Sequence, residues 1–124
     1  MLNRLTDNLQ FQTQALVLRS ERQRVIAGNI ANADTPGYVA RDFDFSRALR
    51  DATSPAGRDR PAAASDLALR YALPAQTSLD ANTVDMDRER ASFADNTVKY
   101  EATVRFISRS VRTMMDAMKG PGQA

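Results

Sequence analysis

The sequence contains no cysteine and no histidine. Their absence excludes disulfides, thiol chemistry, the usual zinc sites and most catalytic triads. No apolar run approaches the ~18 residues that a transmembrane helix needs. A cleavable signal peptide needs a basic start and an apolar run of ~7–15 residues, whereas the longest such run near the N-terminus covers residues 15–18. We therefore expect a protein that does not itself span a membrane. It either stays in the cytoplasm or leaves by a route that cleaves no signal.

Lysine is also scarce, since the chain has two lysines and fifteen arginines. That skew suggests phosphate binding, because arginine is the better bidentate phosphate ligand. However, fifteen acidic residues lie among the basic ones, and the formal net charge is only +2. This mixture favours an ordinary solvated surface. A small arginine-rich nucleic-acid-binding helical protein remains the alternative.

The two ends of the chain carry apolar stripes whose members alternate three and four residues apart. This spacing is typical of helices that pack on another helix. In residues 2–33, Gln12, Arg19 and Gln23 interrupt the stripe, and we expect them to fix register or meet polar partners. The C-terminal stripe consists of Met86, Arg90, Phe93, Thr97, Tyr100, Val104, Ile107, Val111, Met114 and Met118. We predict that the two stripes pack on each other.

The middle of the chain lacks helical periodicity. Phe43 and Phe45 alternate with acidic residues, which favours a short extended segment, and residues 47–52 suit one or two helical turns. Residues 53–66 have the composition of a flexible linker. Residues 67–73 alternate leucine or tyrosine with small or polar residues, which predicts a strand. Asp85 is a good N-cap for the last helix.

The predicted fold class is mainly α, with a long N-terminal and a long C-terminal helix packed as an antiparallel-type coiled pair. At 124 residues the chain forms at most one domain, so we predict a single domain over 1–124. It divides into a helix in 1–35, an irregular middle in 36–81 with a small strand or hairpin, and a helix in 82–119. A two-helix coil buries little apolar surface, so we expect the free chain to be poorly ordered and to complete its core by assembly.

The stretch from Asn29 to Tyr38 joins the first helix to the middle. Asn29 and Asn32 share a helix face. Thr35-Pro36-Gly37 then stops the helix, because proline disfavours helical geometry in the residue before it and glycine permits a positive φ. Two interpretations stay open at this point. The amides either cap the helix and tie down the chain, or form a docking corner that hydrogen-bonds to a partner.

Two charged groups near the second helix have ordinary structural interpretations. Asp85, Asp87 and Glu89 resemble a carboxylate pair or a Mg²⁺ site, but acidic residues at a helix start account for them better. Arg105, Arg109 and Arg112 form a row that is either a solvated face or a contact with acidic groups of a neighbouring subunit. We predict no enzymatic activity, no catalytic or metal-binding residues and no cofactor.

Two motifs resemble a known family. The pattern Ala27-x-Asn29-Ile30-Ala31-Asn32-x-x-Thr35-Pro36-Gly37-Tyr38 is similar to the N-terminal signature of the flagellar rod and hook axial proteins. The segment Asn82-Thr83-Val84-Asp85-x-x-x-Glu89 resembles the stretch before the C-terminal helix of a proximal-rod member. Family-like stretches cover about two-thirds of the chain, and residues 53–66 match nothing.

The resemblance implies a structural subunit of the bacterial flagellar basal-body rod. Such subunits polymerise through their terminal helices, link the membrane ring to the distal rod and transmit torque for motility. They are exported unfolded by the flagellar type III apparatus without a cleaved signal and come to lie in the periplasmic rod. The implied partners are other rod proteins, the membrane ring or export-gate adaptor proteins and copies of the chain itself, with neither nucleic acid nor a small-molecule substrate.

On this basis we predict a set of assembly residues in the corner, before the last helix and along its stripe. They are Asn29, Asn32, Thr35, Pro36, Gly37, Tyr38, Asn82, Val84, Asp85, Tyr100, Ile107 and Met114.

Overall fold

The computed structural model describes residues 2–54, 69–71 and 82–120. Its elements are α1 (Leu2–Ala31), β1 (Arg41–Phe43), α2 (Phe45–Thr53), β2 (Leu69–Tyr71) and α3 (Met86–Lys119). The predicted mainly helical fold with long terminal helices is confirmed. Within the described ranges, no helix is long and apolar enough to cross a membrane.

The helices α1 and α3 pack against each other in antiparallel orientation. Near the start of α3, Glu89 accepts a hydrogen bond from Asn29 in the last turn of α1. Seven residues further along α3, Asn96 donates through Nδ2 to the backbone oxygen of Arg19 at 2.9 Å and to Gln23 Oε1 at 2.7 Å. Residue numbers therefore rise along one helix as they fall along the other, as predicted for the coiled pair.

The contact surface of α3 is more polar than the stripe pattern predicts. Glu89, Asn96 and Thr103, spaced seven residues apart, are buried. The neighbouring stripe stays partly exposed, with Tyr100 and Val104 each 37% accessible. The predicted contact between the two apolar stripes is thus displaced by about one position on α3. The physical reason lies on α1, where Gln23 offers polar groups that the apolar members of the stripe could not satisfy. Asn96, outside the stripe, donates to its Oε1, and Thr97, the polar member of the stripe, accepts from its Nε2 at 2.9 Å. The prediction that polar stripe positions meet polar partners is confirmed for Gln23.

A small apolar core lies along α1, beside the polar contact with α3. Its buried members are Ala15, Leu18, Ile26, Ala40 and Phe43. They come from α1 and the β1 segment, and α2 packs along the same helix. The Arg19 guanidinium lies over the Phe45 ring, 4.3 Å from its centroid. Within residues 2–54, 69–71 and 82–120, five buried apolar side chains form a small core, which gives this part of the chain little apolar burial to offset the entropy of ordering its long helices.

The middle of the chain forms α2 and a two-stranded sheet. Asp44 caps α2 because its Oδ1 accepts from the Arg47 backbone N–H at 3.1 Å. The strands pair antiparallel, with Arg41 opposite Tyr71 and Phe43 opposite Leu69. The predicted strand is confirmed at 69–71, but Phe45 begins a helix rather than extending a strand. Thr53 ends α2 and Ser54 caps it, and the rest of the predicted linker lies outside the described residues.

Glu89 is a buried carboxylate, only 7% accessible. Burial raises the pKa of Glu89 above its ordinary value, and the charges of Asp42 and Asp85 act in the same direction. The hydrogen bond with Asn29 and the charge of Arg88 oppose the shift without cancelling it. The ionised form is therefore less favourable in the folded chain than in the unfolded one.

Removing the Asn96 amide should weaken the helix pair. Asn96→Ala leaves Gln23 Oε1 without its donor and removes the second donor to the Arg19 carbonyl, and we expect it to lower the free energy of unfolding by about 1–3 kcal/mol. The matched control is Asn8→Ala, at an exposed position of α1, which corrects for the better helix propensity of alanine. Urea unfolding followed by circular dichroism measures both variants. Equal stabilities would show that the polar contact does not hold the pair.

The raised pKa of Glu89 predicts a pH dependence. A carboxyl group whose pKa is higher in the folded state stabilises the fold below its unfolded pKa and loses that contribution as pH rises through the folded value. We therefore expect Glu89→Gln, which is neutral at every pH, to be more stable than the parent at pH 7 and to lose that advantage under acid conditions. Unfolding curves at several pH values measure this difference. A difference that does not change with pH would contradict the assignment.

Candidate assembly site

The end of α1 is built as a corner in which the chain turns away from the helix axis. Asn32 Nδ2 donates to the Gly28 backbone carbonyl at 2.8 Å, and the Asn32 backbone carbonyl accepts from the Thr35 N–H at 3.0 Å. Gly37 follows with a φ of +73°, a conformation that costs other L-residues roughly 1–2 kcal/mol. The predicted stop at Thr35-Pro36-Gly37 therefore arises from capping, proline geometry and a left-handed glycine.

Asn29 ties the chain that leaves the corner back onto α1. Its Nδ2 donates to the Arg41 carbonyl at 2.7 Å, and its Oδ1 accepts from the Arg41 N–H at 3.0 Å. The Tyr38 hydroxyl donates to the same oxygen at 3.2 Å. The amide oxygen thus accepts two hydrogen bonds while the amide nitrogen donates to the Arg41 carbonyl. Asn29 is only 1% accessible, so it fixes the corner from inside.

Asn82 closes the corner from the opposite end of the sequence. Its Nδ2 lies 2.9, 2.9 and 2.7 Å from the carbonyl oxygens of Asn32, Ala33 and Thr35. These carbonyls belong to the turn that follows Ala31, the last residue of α1. The Asn82 Oδ1 accepts from the Val84 N–H at 2.8 Å. One buried amide thereby caps α1 and shapes the entry into α3.

The residues after Asn82 continue this connection. The Thr83 N–H donates to the Tyr38 carbonyl at 3.0 Å, and the Thr83 hydroxyl accepts from the Ala40 N–H at 2.8 Å. Asp85 then caps α3 by accepting from the N–H groups of Asp87 and Arg88 at 3.1 and 3.2 Å. The predicted N-cap is confirmed.

The structure joins the two motifs of the sequence into one site. The Asn29–Tyr38 stretch and the Asn82–Asp85 stretch are more than forty residues apart, yet they exchange hydrogen bonds directly. The amides of Asn29, Asn32 and Asn82 are used within the chain, which is the capping interpretation. Docking onto a partner stays a prediction, and the groups that the corner exposes for it are Thr35, Pro36, Gly37 and Val39.

Two residues of the corner were not predicted from the sequence. The Thr83 hydroxyl accepts a hydrogen bond from the Ala40 N–H, and no local sequence pattern links these two residues. Val39 is 39% accessible although it is apolar. Its sequence signal is weak, since a single valine after a turn is ordinary in any protein. Val84, in contrast, is half-buried beside Asn82.

The other predicted assembly residues lie away from the corner, along α3. Tyr100 is exposed, whereas Ile107 and Met114 are half-buried. They continue the partly exposed stripe that includes Phe93, Val104 and Val111. We call this stripe, from Phe93 to Met118, the α3 apolar row.

The acidic residues at the start of α3 do not form one site. Asp85 caps the helix, Asp87 is exposed, and Glu89 faces α1. Their carboxylates therefore lie in three different surroundings. Asp85 agrees with the helix-start interpretation, whereas Glu89 is buried against α1, where burial disfavours its charged form and raises its pKa.

Comparison with known proteins agrees with this geometry. A family model described as "Flagella basal body rod protein" matches residues 9–38, which cover most of α1 and the corner. The flagellar basal body rod protein FlgB of Escherichia coli K12 is 46% identical, with 96% of this chain and 98% of the relative aligned. FlgB of Proteus mirabilis HI4320 is 44% identical over the same shares, and FlgB of Salmonella typhimurium LT2 is 43% identical over 97% and 99%.

These relatives align over nearly their whole length, through α1, the corner, the middle and α3. The similarity is thus not confined to the short signature that first indicated the family. The chain belongs to the FlgB family of flagellar basal body rod proteins.

Proposed function

We propose that this protein is a structural subunit of the bacterial flagellar rod, in its proximal part, which polymerises through its terminal helices and transmits torque. The observation that carries this proposal is the end-to-end relationship with FlgB proteins, which are named as basal body rod proteins. Two features of the structure support it, because they suit a subunit of an assembly better than a stable monomer.

The first such feature is the α3 apolar row. Phe93, Tyr100, Val104 and Val111 are 37–42% accessible, and Met118 is 79% accessible. A soluble monomer rarely exposes a continuous apolar surface of this length. A neighbouring helix with the same 3–4 spacing would cover the row and add the apolar burial that the small core lacks.

The second feature is the rigidity of the corner. Hydrogen bonds within the chain tie down the exposed segment of residues 35–39 before any partner binds. A preorganised surface loses less conformational entropy when it binds. We infer that the corner is a joint between subunits, with Asn29, Asn32 and Asn82 acting as the frame that positions it.

The third element of the proposal concerns partners and location. We propose one rod-type axial domain over 1–124 that assembles with other rod proteins, with copies of itself and with the basal-body membrane ring or export-gate adaptor proteins. It would reach the periplasmic rod by type III export without a cleaved signal. The polar α1–α3 contact and the small core fit this route, because a weakly stable chain unfolds readily for export.

Binding to nucleic acid is less well supported. Two of the arginines that raised it serve the fold: Arg19 lies over Phe45, and Arg22 lies 3.8 Å from an Asp42 oxygen. Phosphate contacts would make binding fall steeply with salt. We expect no specific binding in titrations with DNA or RNA at varied salt.

Deleting the gene should abolish motility and halt the axial structure at its base, and the intact chain should restore both. Tyr100→Asp and Val104→Asp place a charge in the α3 apolar row, and we expect them to fail in complementation while the purified chains keep their helicity. Val98→Asp is the matched control, because Val98 is exposed on another face of α3. Swimming assays and electron microscopy of basal bodies measure the outcome. Complete flagella in the deletion strain would refute the proposal.

Substitutions in the corner should distinguish effects on folding stability from effects on assembly. Gly37→Ala meets no atom within 4 Å, so we expect only the backbone cost of about 1 kcal/mol in unfolding free energy. Val39→Asp adds a charge to an exposed side chain, and we expect an unchanged stability within ~0.5 kcal/mol together with impaired motility. If Val39→Asp supports swimming as well as the Val98→Asp control does, the corner is not a joint.

A further inference from the structure

Three of the five methionines lie within five residues at the end of α3: Met114, Met115 and Met118. Met118 is 79% accessible and Met115 is 54% accessible, whereas Met114 is half-buried. Met114 and Met118 are four residues apart and share a helix face, where they end the α3 apolar row, and Met115 lies beside them. The row therefore ends in thioether side chains that solvent reaches.

Methionine is the most readily oxidised side chain that this protein has. The sequence contains no cysteine, no tryptophan and no histidine, so no thiol of the chain competes for an oxidant. An oxidant must reach the sulfur atom to react with it, which favours the exposed Met115 and Met118. Met86, at the start of α3, is half-buried. We therefore expect oxidation to begin at the end of α3.

We propose that Met114, Met115 and Met118 form an oxidation site, at which a peroxide converts the end of the α3 apolar row into polar surface and blocks assembly. The thioether sulfur takes one oxygen atom from hydrogen peroxide, which is reduced to water while methionine becomes its sulfoxide. Sulfoxide reductases reverse the step with electrons from a thiol, and the oxygen leaves as water. The block on assembly rests on the function proposed above, whereas the position of the oxidation site does not.

Oxidation at this site changes the contact surface rather than the fold. In the described ranges, the buried apolar side chains come from α1 and the β1 segment, so none of the three methionines is among them. The sulfoxide oxygen accepts hydrogen bonds. A helix that covers the row offers few free donors, because its backbone N–H groups are already bonded within the helix. Burying the sulfoxide would leave a polar group unpaired, which opposes packing.

Peroxide treatment of the purified full chain tests the site. We expect peptide mass spectrometry to find one added oxygen atom on Met115 and Met118 first, at least about threefold faster than on Met86. Helicity measured by circular dichroism should stay unchanged. On hydrophobic-interaction chromatography the oxidised chain should elute earlier, and treatment with sulfoxide reductases and dithiothreitol should restore the original position.

The matched control for this experiment replaces the three methionines by leucine. Met114→Leu with Met115→Leu and Met118→Leu keeps the apolar character and nearly the volume of the row but removes the sulfur atoms. We expect peroxide to leave the elution of this variant unchanged. An equal shift of the parent and the variant would place the reactive groups elsewhere in the chain and overturn the proposal.

Complementation of the deletion strain tests the consequence for assembly. Glutamine imitates the sulfoxide, because it is unbranched, polar and a good helix former. We expect Met115→Gln with Met118→Gln to restore neither swimming nor basal bodies, and Met115→Leu with Met118→Leu to restore both. Complete flagella in the uncomplemented deletion strain would contradict the proposed rod function alone, since the peroxide experiment is made on the free chain.

Three further results would overturn this inference. Met86 could react as fast as Met118, so that exposure would not direct the oxidant to the end of α3. The glutamine pair could support swimming as well as the leucine pair, so that a polar group there would not block assembly. Loss of swimming in the leucine pair would show that the contact does not depend on apolar character.

Discussion

The hydrogen bonds that Asn29 and Asn82 make with backbone groups are the constraint on which the rest of this structure depends. Asn82, in the segment that precedes α3, donates to backbone carbonyls of the turn that follows α1. Asn29 binds both backbone groups of Arg41, as a neighbouring strand would. Through these two amides, the end of α1 sets the start of β1 and the entry into α3.

This constraint explains why the helix pair tolerates a polar contact surface. With the corner fixed, α1 and α3 are already close and antiparallel, and Asn96 and Gln23 then select the register through directional hydrogen bonds. Buried polar pairs specify one alignment at some cost in stability. The burial of Glu89 adds to that cost at neutral pH. A chain built this way is well specified but weakly stabilised, which fits a subunit that gains its remaining apolar contacts from neighbours.

How much of this could be predicted from the sequence differs between elements. The long helices were predictable because a 3–4 spacing that persists over thirty residues is typical of a helix and of no strand or loop. The stop at Gly37 and the cap at Asp85 were predictable from residue chemistry alone. The contact between the Asn29 and Asn82 segments could not be predicted, because no local sequence pattern indicates which carbonyl groups a distant amide will bind. The position of the α1–α3 contact differs from the predicted one for a related reason. Hydrophobic periodicity identifies the apolar stripe, whereas here the polar residues next to it find partners across the interface and become buried.

The helix α3 therefore presents two faces with different physical characters. The polar line through Asn96 belongs to the fold, since the Asn96 Nδ2 group is hydrogen-bonded to α1. The α3 apolar row is only partly covered, which suits contacts that exclude water over a long length. Because these faces lie side by side on one helix, a substitution on one can leave the other unchanged. This separation allows folding and rod assembly to be examined independently in the same protein.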